Sequence, residues 1–129
     1  MPENLKNTSK STPLKIRVWL DGLPPNPNKT RGLHWSKLYK EAQDWKNTAY
    51  LLCKSIYHGA PLERAHLHYH VLVGDNRRRD ADNIVASLKP VQDGIREAML
   101  VDDDIDHIQV TYTFSRDKPQ GVEITITEL

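Results

Sequence analysis

The chain lacks what would build a disulfide scaffold, a zinc ribbon or a membrane span. One cysteine, Cys53, among 129 residues excludes an intramolecular disulfide and a cysteine-rich zinc site, and it fits a reducing compartment. Its place in a helical pattern reads as a small buried apolar residue. No run approaches the roughly 18 consecutive apolar residues of a membrane span, and the first dozen residues lack the apolar core of a secretion signal. The expectation is a soluble, cytoplasmic protein. Charge of one sign is also missing: 18 Lys and Arg against 17 Asp and Glu leave a net +1. Affinity for a polyanion must therefore come from where the charges sit rather than from their sum.

The length fits one domain with a single core. Residues 1–12 are polar and read as a disordered tail, with one domain over 13–129. Leu14, Ile16, Val18 and Leu20 alternate with Lys15, Arg17 and Trp19, as a half-buried strand requires. Three prolines in Gly22–Asn28 stop both helix and inner strand. From Trp35 to Ile56 apolar residues recur at spacings of three and four, predicting a long amphipathic helix that ends near His58-Gly59. Trp35, Tyr39 and Trp45 on it are expected mostly in the core. Ala65–Val73 alternates again. A second helical pattern follows through Ile84, Leu88, Val91, Ile95 and Ala98, with Asp82 or a neighbour as N-cap and a kink or restart at Pro90. Two further alternating runs, from Ile108 and from Val122, flank a turn and read as a hairpin. The order β-α-β-α-β-β predicts an α+β fold, a small four-stranded sheet packed with two helices.

The chemistry concentrates in Arg77-Arg78-Arg79-Asp80-Ala81-Asp82-Asn83 and in Asp102-Asp103-Asp104. Arginines grip phosphates bidentately, and clustered carboxylates hold magnesium or manganese. A site that does both is what a metal-dependent nuclease needs. Asp102, Asp104 and Asp106 imitate the start of a calcium loop, but His107 replaces its turn glycine and Thr113 its bidentate glutamate, so that reading fails. Lys89 lies seven residues past Asp82, about 700° of helix rotation, which on an unbroken helix puts both on one face. From there its ammonium can reach the metal site, or it can pair with Asp93 at i,i+4. Lys29, Arg31, Lys37 and Lys40 are further candidate phosphate contacts.

These residues resemble the RusA family of Holliday junction resolvases, whose pattern is a basic run, Asp-x-Asp-Asn, a helix with a lysine, and an acidic pair before a strand. The N-terminal half is similar too, with a strand, a loop carrying Pro24, Pro25, Asn26 and Asn28, a basic stretch and a long helix. The resemblance runs from Leu14 to Leu129. It implies a homodimeric endonuclease that uses magnesium or manganese to nick four-way DNA junctions symmetrically, in recombination and repair. By position, Asp80, Asp82 and one of the triplet, Asp104 first and Asp103 next, would hold the metal, with Lys89 as the helix lysine. The family's lysine sits about one helical turn past the second aspartate, whereas Lys89 sits about two.

Two other readings follow from the residues. His66, His68 and His70 project from one strand face, the beginning of a zinc site. A chain that binds branched DNA without cutting it would carry the same basic groups.

Overall fold

The computed structural model describes residues 14–26 and 35–129. The expected tail at residues 1–12, and Lys29 and Arg31, lie outside them. The alternating segments form strands β1 (Lys15–Asp21), β2 (Ala65–Val73), β3 (Ile108–Arg116) and β4 (Gly121–Glu128). The segments spaced by three and four form helices α1 (Trp35–Ile56), α2 (Ala81–Ser87) and α3 (Lys89–Met99). The fold is α+β, with three helices among the described residues rather than two. The second helical pattern divides at Leu88 (φ −85°, ψ −2°), and Pro90 is the second residue of α3. There its missing N–H costs nothing, because the first turn of a helix has no acceptor for it.

The expected β3–β4 hairpin does not form. The sheet order is β1-β4-β2-β3: β4 runs antiparallel between β1 and β2, and β3 lies parallel to β2 on its far side. Alternation reports which face of a strand is buried, but not which strand lies beside it. The helical crossover from β2 through α2 and α3 returns the chain in the direction a parallel neighbour needs. Residues 117–120 then span two strand spacings, about 9.6 Å, a distance that four residues cover. This link crosses the end of β2 and is pinned there by Asp117 N–H donating to the Val73 carbonyl (3.2 Å) and Gly22 N–H to the Gln120 carbonyl (3.0 Å).

One sheet face carries the core: Ile16, Val18 and Leu20 of β1, Leu67, Tyr69 and Val71 of β2, and Val122, Ile124 and Ile126 of β4. Ala49 and Cys53 of α1 and Val91, Ile95 and Ala98 of α3 cover it. Tyr69, fully buried, stacks on Tyr112 at 5.3 Å and donates to Gln92 Oε1 at 3.1 Å. Burial pushes the Cys53 thiol up to about 11, which makes it packing material rather than a nucleophile. Trp45 packs against the core, but Trp35 and Tyr39 are 72% and 62% exposed. Helix α1 meets α3 around Lys46 and Ala49, and its first turn lies beyond that contact. No helix among the described residues is long and apolar enough to cross a membrane.

The opposite sheet face is polar. Thr111 Oγ1 lies 2.7 Å from His66 Nε2 and 2.6 Å from His68 Nδ1, and Thr113 Oγ1 lies 2.9 Å from His68 Nε2 and 2.6 Å from His70 Nδ1. A hydroxyl both donates and accepts, so each threonine bridges the two imidazoles beside it. The alternative reading of this face as the beginning of a zinc site meets ring nitrogens that are hydrogen-bonded to threonines. No carboxylate or thiol joins them in a metal-sized group among the described residues.

Candidate functional site

The strand-to-helix link 74–80 carries the arginine run to the start of α2. Asp80 occupies the N-cap position with extended backbone (φ −87°, ψ 129°), yet its side chain makes no capping hydrogen bond. Its oxygens lie 3.6 Å from Arg78 Nη2 and 3.4 Å from Asn83 Nδ2, loose contacts for a carboxylate. Asp82 stands exposed in the first turn of α2. Neither aspartate is spent on ordinary helix capping, the commonest use of aspartate at such a place.

Because the helix breaks at Leu88, Lys89 opens α3 instead of continuing the Asp82 face. Its Nζ lies 3.0 Å from Asp93 and 3.4 Å from Asp103. Asp93 first, and Asp103 with it, raise the amine above its ordinary value, so Lys89 is a fixed cation and not a base. The triplet divides. Asp103, whose side chain is 18% exposed, turns back over α3 toward Lys89 and toward Arg96 at 3.9 Å. Asp104 faces the other way, 2.5 Å from His107 Nδ1. Asp102, Asp104 and His107 are the one trio of possible ligands whose atoms lie within 4.8 Å of one another among the described residues. Asp80 and Asp82 do not form such a trio with Asp103 or Asp104.

The Asp104–His107 pair has a pH signature. Its hydrogen bond raises the imidazole above 6.5 and lowers the carboxyl below 3.8. A raised imidazole stabilises fully below pH 6.5, and that contribution fades as pH climbs through its folded value. A lowered carboxyl stabilises fully above 3.8 and fades as pH falls through its folded value. The pair is therefore at full strength between these limits. An NMR titration should place the His107 midpoint above 6.5, and Asp104→Asn should return it toward that value; a wild-type midpoint at or below it contradicts the pairing.

Of the three arginines, Arg79 is held inward. Its Nη2 donates to Asp75 Oδ2 at 2.5 Å, while its Nε is buried with no hydrogen-bond partner. The Arg79 hydrogen bond lowers the Asp75 carboxyl. Arg116, at the end of β3, fastens the same loop, donating to the backbone carbonyls of Asp75 (2.7 Å) and Arg77 (2.8 Å). Gln120 accepts from Gly74 N–H at 3.0 Å, and its own carbonyl holds Gly22. The loop that crosses β2 thereby ties the arginine segment to the Pro24-Pro25 segment opposite. Between them lies an open cleft of about 750 Å³, lined by Arg77, Arg78, Arg79, Asp80, Asn83 and Pro25, among others.

Asp75, Arg116 and Gln120 do not figure in the sequence reading. Their link depends on β2 pairing with β3 in the register Val73↔Arg116, which a β3–β4 hairpin conceals. Lys37 and Lys40 sit exposed on the first turns of α1. No family model and no curated protein matches the chain.

Proposed function

We propose that the chain is a divalent-metal-dependent endodeoxyribonuclease of the RusA type, acting as a homodimer on four-way DNA junctions in recombination and repair. One observation carries this reading: a single cleft sets Arg77, Arg78 and Arg79 beside an Asp80 carboxylate that caps no helix. The donor chemistry fits magnesium or manganese, since Asp80, Asp82 and the triplet offer hard oxygens. When bound, such an ion would supply Lewis-acid stabilisation and an activated water.

The chain's own residues do the rest. Arg77 and Arg78, solvent-facing, grip the phosphates that flank the scissile bond, while Arg79, anchored on Asp75, fixes the wall they stand on. Asp80 and Asp82 would be the first two ligands of the ion, although the free chain does not bring them into one ligand group with the triplet. Both candidates for the third ligand are engaged, Asp103 by Lys89 and Arg96 and Asp104 by His107; we choose Asp103, because its partner Lys89 would bring a cation to the site. Lys89, paired with Asp93 and Asp103, would offset charge that builds on the phosphate. A two-fold dimer suits a substrate with two equivalent strands to cut.

Two experiments test the parts. Arg77→Ala with Arg78→Ala should weaken junction binding and reduce the salt dependence of its logarithm by about two counterions' worth, near 1.8 in slope; an unchanged slope removes these residues from the interface. Asp103→Asn should reduce cleavage far more than Asp104→Asn, and the reverse order would return the third ligand to Asp104. Activity with zinc but not magnesium would favour the histidine face, whose ring nitrogens are already bonded to Thr111 and Thr113.

A further inference from the structure

Two cavities share a wall. The arginine-lined cleft opens beside an apolar slot of about 220 Å³ between α1, the start of α3 and the Pro24-Pro25 segment, and Pro24, Pro25, Glu41 and Ser87 line both. Trp45 and Pro90 also line the slot, with Leu38 and Ala42. We infer that the slot receives one unpaired nucleobase of DNA whose phosphate lies in the arginine cleft. This rests on the phosphate-binding part of the function proposed above.

A nucleotide is a flat, largely apolar ring joined to an anion. It needs an apolar slot directly beside cations, and two cavities with four residues in common provide that continuity. Drug-sized ligands take pockets of about 300–1,000 Å³; a smaller slot suits a single ring system. Prolines offer no N–H donor, and an indole offers a stacking face that every base can use. Proteins that take a base out of its stack hold it between such apolar and aromatic groups. Ser87 Oγ gives its proton to the Ile84 carbonyl at 2.6 Å and can only accept from a base. Glu41, the one charged residue among the described residues that line the slot, reads the base edge. A carboxylate only accepts, so it favours an edge with an exocyclic amino group, as on guanine, cytosine or adenine, over thymine, whose single N3–H stands between two carbonyls.

The test uses the full chain with Trp19→Phe and Trp35→Phe, two exposed positions, so that Trp45 is the sole tryptophan. Synthetic four-way junctions are titrated without divalent metal, one intact and others with a single abasic site walked through the nucleotides at the crossover. The intact junction should quench Trp45. One abasic position should abolish the quenching and weaken binding roughly 5- to 150-fold. At that position thymine should bind more weakly than cytosine or adenine, and Glu41→Gln should level the difference. Junction bound with Trp45 emission unchanged, or with no abasic position that matters, overturns the slot, whatever else fills it. Cleavage is not read here, so an inert but Trp45-responsive chain would defeat the nuclease reading and leave the base slot standing. A preference untouched by Glu41→Gln would overturn the role of Glu41.

Discussion

Asp82→Asn is expected to abolish junction cleavage while leaving fold and junction binding in place. The change removes one carboxylate, the proposed metal ligand, from the first turn of α2 without altering side-chain size, and Asp82 is exposed there. Loss of the ligand should slow the chemical step roughly a thousandfold or more, equivalent to about 4 kcal/mol of barrier at 1.36 kcal/mol per decade. Stability should move little, because surface substitutions away from caps and buried networks usually stay within about 0.5 kcal/mol. Circular dichroism and a gel-shift measurement separate the two effects. Undiminished cleavage by this variant in magnesium would remove Asp82 from the metal site. Loss of binding together with cleavage would assign it to the DNA interface instead.

Gly94→Ala should produce the largest loss of stability from a single methyl group. A Cβ at Gly94 would stand 2.2 Å from the Lys46 carbonyl oxygen and 3.1 Å from the Ala49 Cβ, where α3 crosses α1. The obstacle is backbone, so no rotamer change relieves it and the helices must separate. Overpacking of this kind costs about 1–3 kcal/mol, and the upper part of that range applies here. The melting temperature should fall by several degrees, roughly in proportion. Glu97→Ala is the matched control. It breaks the Lys46–Glu97 pair (2.9 Å) between the same two helices, and a partly exposed pair is worth about 1 kcal/mol at most. A Gly94→Ala protein as stable as the control would mean that the close approach of α1 and α3 is not what holds them.

The sequence revealed local structure better than neighbours. Strand alternation in Ala65–Val73 and the three-four spacing in Trp35–Ile56 identify elements whose bounds match the structure, because side-chain periodicity records which face is buried. Pro90 announced a restart for a reason contained in the residue itself. Strand order was hidden. β3 and β4 alternate equally well as a hairpin or as two strands with β2 between them, and the short link 117–120 permits both. That ambiguity also concealed Arg116, whose grip on the 75–77 backbone exists only because Arg116 pairs with Val73. For the site, Arg77 to Asp82 was legible as chemistry; Arg77, Arg78, Arg79 and Asp80 line one cleft, and Asp82 is not among its lining residues. The choice within Asp102 to Asp104 was not, since three adjacent identical side chains differ only in direction. The chain's turn after α3 sends Asp103 to Lys89 and Asp104 to His107.

The most direct measurement uses a synthetic four-way junction labelled on two opposing strands, incubated with the wild-type chain in magnesium and resolved on a denaturing gel. The expected result is one nick in each labelled strand at symmetric positions, lost when the metal is chelated. A junction that is retarded on a native gel yet stays intact in magnesium and in manganese would contradict the nuclease reading and leave a protein that binds branched DNA without cutting it.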